Sequence, residues 1–154
     1  MRSKEIEEKS QNLKLTKIQR EILIGTLLGD GHLETKNQGR TYRLKIEHSY
    51  NQKDYIQWLY KLFQDWVRTP PVIRSRSVTF RTETKEYKRV GFATLSSGSL
   101  RFYAQQFYQN GKKVVPKLIQ HWLSPRALAV WYMDDGSIKS KQHKTVLLNT
   151  HSFS

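Results

Sequence analysis

Two stretches of the chain, Leu23-Ile24-Gly25-Thr26-Leu27-Leu28-Gly29-Asp30-Gly31 and Leu128-Ala129-Val130-Trp131-Tyr132-Met133-Asp134-Asp135-Gly136, can be laid over each other without a gap. Each reads as an apolar helix whose last turn carries an aspartate followed at once by glycine. A helix C-terminus bears partial negative charge and favours cations, so an acid placed there works against stability. Two such placements point to carboxylates that serve something else. If the two helices pack side by side, Asp30 and Asp135 arrive at the same end. Together with exposed last-turn carbonyls, such as that of Gly29, they make a hard, oxygen-only cage suited to Mg²⁺. Gly25 and Gly29 lie four apart on a face where helix backbones can approach, whereas the matching positions of the second stretch are Val130 and Asp134. The helix contact is therefore expected to be asymmetric. A single Asp-Gly pair would be an ordinary turn; the repetition argues against that reading.

The rest of the chain alternates helices with strand-like pieces. Residues 1–15 are polar and charged and are read as a loosely ordered arm. Thr16 is a helix N-cap with Gln19 completing a capping box, and the helix it opens runs from residue 18 to 29. Residues 40–48 alternate with period two. Tyr42, Leu44, Ile46 and His48 fall on an oily side, and Thr41, Arg43, Lys45 and Glu47 on a polar one. A helix over 52–67 is stopped by Pro70-Pro71. Strand-like pieces follow at Val78–Thr82 and Arg89–Leu95, then a helix over 99–109 and a short basic link, Gly111-Lys112-Lys113. A helix over 117–122 precedes Ser124-Pro125, a strong helix start, and Thr145–Thr150 is a final strand. The order α-β-β-α-β-β-α-α followed by helix and strand reads as the start of an internal repeat.

Composition narrows the partner. The 154 residues include 27 Lys and Arg against 13 Asp and Glu, a formal net charge of +14. A chain this basic attracts polyanions, nucleic acid above all. No apolar run approaches the roughly 20 residues that span a bilayer. With no cysteine, thiol nucleophiles, Cys-ligated zinc and disulfides are excluded. The five histidines show no metal-ligand spacing.

Both nonapeptides resemble the LAGLIDADG motif of homing endonucleases, and two of them in one chain resemble the monomeric, two-motif subclass. Thr41-Tyr42, Pro70-Pro71, Lys112-Lys113 before Pro116, Trp131–Gly136, and Leu148-Asn149-Thr150 with Ser152-Phe153 extend the likeness along most of the chain. The resemblance implies an α+β fold: an αββαββα unit with a saddle-shaped antiparallel sheet (residues 16–123), plus the start of a second unit (124–154). It implies double-stranded DNA as partner, cut in a metal-dependent, sequence-specific way, with Mg²⁺ as cofactor and Mn²⁺ able to substitute. Asp30 and Asp135 match the metal-binding acids, and Gly29 and Asp134 complete the candidate metal set. Lys113 matches the basic residue that assists the site. Glu47 and its counterpart Asn149 match polar residues that organise water.

The DNA-binding face is expected to comprise Arg40, Arg43, Lys45, Arg74, Arg76, Arg81, Lys88 and Arg89, because a two-stranded ribbon fits the major groove. Two rival readings share the fold: an intron maturase that binds RNA, and a DNA-binding fragment without nuclease activity. The second repeat ends after one strand, where a two-motif enzyme needs roughly 220 or more residues. The chain is thus expected to be a shortened form of a monomeric enzyme, binding DNA weakly and cutting little unless a second copy supplies the missing surface.

Overall fold

A computed structural model describes residues 3–140, 143–148 and 153 of the chain. The capping box forms as read: Thr16 Oγ1 accepts from the backbone of Gln19, and Gln19 Oε1 accepts from the backbone of Thr16. The helix it opens, α2 (Lys17–Leu28), follows a short α1 (Lys4–Asn12). Gln19 then spends its amide on Leu62 O and Asp65 Oδ1, at 2.9 and 3.0 Å, tying the start of α2 to the end of α3 (Lys53–Leu62). Helix α2 buries Ile22, Leu23, Ile24, Leu27 and Leu28, residues that point in all directions around its axis. A helix apolar on every side must be central.

Its main partner is α6 (Pro125–Asp135), capped by Ser124 and started by Pro125. The two backbones meet at the glycines. A Cβ on Gly25 would lie 2.6 Å from Ala127 O and 2.7 Å from Val130 Cβ, and one on Gly29 would lie 2.5 Å from Asp134 Cβ. The contact is asymmetric as expected: α6 inserts the side chains, and α2 supplies the space.

Strands β1 (His32–Glu34), β2 (Arg43–Ser49), β3 (Val72–Phe80) and β4 (Glu83–Ala93) form one antiparallel sheet in the order β1-β2-β4-β3. The period-two reading of β2 holds. Leu44, Ile46 and His48 are buried, and Ile46 and His48 pair with Phe92 and Val90 across to β4. This oily face closes over Ile56, Leu59, Phe63 and Trp66 in the core. The other face, with Arg43, Lys45 and Glu47, stays partly exposed.

Several elements differ from the sequence reading. Residues 4–12 form α1 instead of an irregular arm. Glu5 and Glu7 in its first turn and Lys9 in its last agree with the helix dipole, and Ser10 donates its hydroxyl to Ser96 O. The strand-like pieces at 78–82 and 89–95 are one long hairpin, whose turn takes Arg81 at φ 56°. Every residue of β3 is exposed, so no apolar alternation marks it. The basic link is a second, tiny hairpin of β5 (Tyr108–Gln109) and β6 (Lys112–Lys113), turned by Asn110-Gly111 with both φ angles positive. Asn-Gly is the standard signal for such a turn. Strands β7 (Gly136–Ser140) and β8 (His143–Leu148) pair where one strand was expected. Helices α4 (Arg101–Phe107) and α5 (Ile119–Trp122) fall where read.

The edge strand β1 is fastened to β2 by an ion pair on the exposed face. Glu34 stands opposite Arg43 and accepts two hydrogen bonds from it, at 2.8 and 3.0 Å. Burial pushes the Glu34 carboxyl up, but His32, Arg43 and Lys45 outweigh it and hold the group at about 2, below its usual 4.5. A carboxylate whose pKa is lowered by folding adds stability above its unfolded pKa and loses it as pH falls through the folded one. Urea melts of the wild type should therefore weaken between about pH 4.5 and 2, and Glu34→Gln should show a flatter acid limb. Identical slopes would show that the pair contributes nothing. Gly25→Ala should destabilise the fold by about 1–3 kcal/mol through overpacking. Val130→Ala should restore only part of that loss, because the Ala127 carbonyl still opposes the added methyl.

Candidate active site

The glycine contacts align the C-terminal ends of α2 and α6. Gly31 N–H returns to Thr26 O at 2.8 Å, so the chain turns sharply and leaves Asp30 exposed at the corner. Asp135 is the last residue of α6. Each aspartate leads into a strand, Asp30 into β1 and Asp135 into β7. The two carboxyls are close enough to act on one another's protons. Asp135 is raised to about 6, first by burial, then by the charge of Asp30 and a hydrogen bond with it; Lys113 and His48 offset part of this. The charge of Asp30 thus makes Asp135 hold its proton more tightly.

Asp134 does a different job from its neighbour. Its side chain is wholly buried, with Oδ2 accepting from the backbone N–H of Asp30 at 3.1 Å and Oδ1 from the Tyr55 hydroxyl at 2.8 Å. The Tyr55 phenol is pushed far up by burial and by Asp134, so it stays a donor. His48 is also buried. Its Nε2 lies 3.4 Å from Asp134 Oδ1, and its Nδ1 lies 2.5 Å from Gln52 Oε1 and 3.6 Å from Asp30 Oδ2. Burial pulls the imidazole down, and Asp134, Gln52 and Asp30 together raise it above its ordinary value.

Lys113 reaches the site from β6. Its ammonium donates to Gly29 O at 2.9 Å and Gly31 O at 2.7 Å, the carbonyls on either side of Asp30. Burial lowers its pKa, against the pull of Asp135, Asp30 and Asp134. This cation sits where the helix dipole is negative and offsets the cost of placing acids there.

The fold thus gathers Asp30, Asp135, Lys113, Asp134 and Gly29. Two members of the candidate metal set already have protein partners: the Gly29 carbonyl accepts from Lys113, and the Asp134 carboxylate meets the Asp30 backbone, Tyr55 and His48. Among the described residues, no three His, Cys, Asp or Glu side chains converge as ligands. Glu47 stands on the exposed sheet face, 2.7 Å from Arg89 Nε, and no hydrogen bond among the described residues joins it to the aspartates. Asn149 lies outside the described residues. His48, Tyr55 and Gln52 were not singled out as site residues; the legible signal was a histidine on the oily side of β2.

The basic surface is the sheet face opposite the core. Arg43, Lys45, Glu47, Arg74 and Gly91 line a groove there, with Arg68 and Thr69 at its rim, and Arg76, Tyr87 and Arg89 continue it along the ribbon. Arg68 was not among the expected residues. Lys88 pairs with Ser75 and alternates with Arg89, so its side chain leaves from the other side of the ribbon, although it borders the groove beside Tyr87 and Arg89. Arg81 sits at the ribbon tip over the Phe80 ring, and Arg40 lies exposed in the loop before β2.

Comparison with known proteins places this geometry. Residues 20–154 match the profile of the LAGLIDADG DNA endonuclease family. The DNA endonuclease I-ChuI of Chlamydomonas applanata is 35% identical over 92% of this chain and 68% of its own length. The cytochrome b mRNA maturase bI2 of Debaryomyces hansenii is 31% identical over 92% of this chain and 53% of its own length. Among solved structures, the homing endonuclease I-WcaI bound to its DNA recognition sequence superposes with a TM-score of 0.82 at 28% identity, over 98% of this chain and 67% of that one. The chain therefore spans about two thirds or less of the length of these relatives, and with a match of this extent it belongs to the LAGLIDADG DNA endonuclease family.

Proposed function

We propose that the chain is a metal-dependent, sequence-specific DNA endonuclease whose phosphodiester-cutting centre is Asp30 with Asp135, backed by Lys113. The observation that carries this reading is the meeting of those two carboxylates at the aligned ends of α2 and α6, beside a basic groove. The donor set fits a hard divalent cation. Mg²⁺ is typically held by one or two carboxylates, with the remaining positions left to water and substrate phosphate. Asp30 and Asp135 would hold it, and Mn²⁺, with the same preference for oxygen, is expected to substitute. What such a cation supplies is Lewis acidity, activating water and stabilising charge on the leaving oxygen.

The chain's own residues do the rest. Lys113 fixes the two carbonyls around Asp30 and keeps positive charge close to where the cleaved phosphate gains negative charge. Asp134 holds the Asp30 backbone, with Tyr55 and His48 holding Asp134 in turn. Arg43, Lys45, Arg68 and Arg74 line the groove that would take the duplex, with Arg76 and Arg89 further along the ribbon. The likeness to a maturase supports a second reading, in which the same fold binds intron RNA. The paired carboxylates favour the nuclease, since a pure binder gains nothing from two acids beside phosphate.

DNA selected from a randomised duplex library and incubated with the protein decides between them: cleavage in Mg²⁺ that EDTA stops supports the nuclease. Asp30→Asn and Asp135→Asn should each abolish cutting while leaving DNA binding unchanged or tighter. Both should also melt at a higher temperature than wild type in EDTA near pH 8, because one of two repelling charges is gone. Mg²⁺ should then raise the melting temperature of the wild type but of neither variant. A Mg²⁺ response kept in both variants would move the cation elsewhere. Lys113→Met should lower the cleavage rate by on the order of 10²–10³, as loss of one electrostatic donor does, with duplex binding little changed. Single-turnover cleavage beside a binding titration measures both.

A further inference from the structure

On the groove face of β1 and β2, where among the described residues Glu47 pairs with Arg89 alone, the Glu34 carboxylate is ringed by nitrogen. Glu34 Oε2 accepts from Arg43 Nε and Nη2, while Oε1 lies 3.0 Å from His32 Nε2 and 3.5 Å from Lys45 Nζ. The side chains of Glu34, Arg43 and Lys45 are each about 30% exposed; Arg43 and Lys45 line the groove, and Glu34 sits directly beside them across the β1–β2 pair. An acid on a surface that meets a polyanion lowers affinity by repulsion. A partly exposed ion pair repays little of that in stability. Its place on this face needs another reason.

We propose that Glu34 is a positioning residue for sequence specificity: it holds the Arg43 guanidinium so that its outer edge reads a guanine and not a phosphate. This inference rests on the DNA-cutting reading above. A guanidinium carries five N–H donors in a fixed fork. Glu34 occupies the inner edge, formed by Nε and Nη2, and leaves the Nη1–Nη2 edge, whose spacing matches O6 and N7 of guanine in the major groove. An unrestrained arginine gives up rotamer freedom on docking and can swing equally well to the backbone. Here that freedom is already lost, and the Glu34 charge repels any phosphate approaching Arg43. Arg74 and Arg76 have no carboxylate partner among the described residues, as suits side chains that hold phosphates and carry no sequence information. Glu34 also stays ionised at any physiological pH, because its neighbours hold the carboxyl low.

Binding selection from randomised duplex DNA tests this, run at one ionic strength and without divalent metal so that cutting does not enter. The wild type should enrich a site with a G–C pair at one position. Glu34→Gln and Arg43→Ala should both lose preference at that pair, by on the order of 5- to 150-fold, the discrimination one bidentate contact supplies. Their double variant should lose no more, while Glu34→Gln should bind unrelated duplex as tightly as wild type or tighter. Glu34→Asp keeps the charge but shortens the reach, so it should lose the same preference without gaining affinity; it also serves if Glu34→Gln does not fold. Arg74→Ala should weaken binding evenly across sequences. Full base preference kept in both Glu34 variants overturns the inference while leaving DNA recognition intact. No binding of any duplex by the wild type overturns the DNA reading, and this proposal with it.

Discussion

Everything at the site follows from how closely the α2 and α6 backbones approach. Val130 fills the space beside Gly25, and Asp134 fills the space beside Gly29. These two insertions set the relative height of the helices, and that height decides whether Asp30 and Asp135 share one place or two. The same insertion carries Asp134 to the Asp30 backbone, so helix packing and carboxylate positioning are one interaction seen from two sides. Packing in protein interiors tolerates little adjustment, so the geometry it sets is stiff.

That stiffness works against an electrostatic load. Three aspartates gather where two helix dipoles are negative, and burial raises the proton affinity of Asp135 further. The protein answers with two cation-capable groups brought from distant parts of the chain, Lys113 from a two-residue strand and His48 from the buried face of β2. Neither removes the repulsion between Asp30 and Asp135. A centre that gathers like charges keeps some instability, as functional sites commonly do.

Much of this was legible in the residues, for identifiable reasons. The capping box at Thr16, the Ser124-Pro125 start and the alternation of β2 are local signals, and each formed as read. The asymmetry of Gly25 and Gly29 against Val130 and Asp134 was visible because close helix contacts have a four-residue period. What failed to show was long-range or weakly patterned. Strand β3 is exposed along its whole length, so its ends carried no hydrophobic mark, and the turn at Arg81 lacks the usual glycine. Lys88 and Arg89 were read onto one face, although neighbours on a strand leave on opposite sides of it. The protein partners of Asp134 and Gly29 were not legible from their positions. Their engagement by Tyr55 and Lys113 depends on contacts from α3 and β6 that sequence spacing cannot reveal.

The glycine face of α2 also bears on how such proteins can be recombined. Two copies of α2 set back to back would draw closer than α2 and α6 do, because glycines four apart let helix backbones approach, and the ends of the helices would then meet at a different height. Two copies of α6 would collide at the same points. The motifs look interchangeable when written as strings of letters, but they are complementary halves, like a mould and its casting. A chimera that takes one motif helix from a relative should keep its fold only if the opposing helix travels with it. Inheritance of the pair as a unit would then leave the strands free to diverge toward new target sequences.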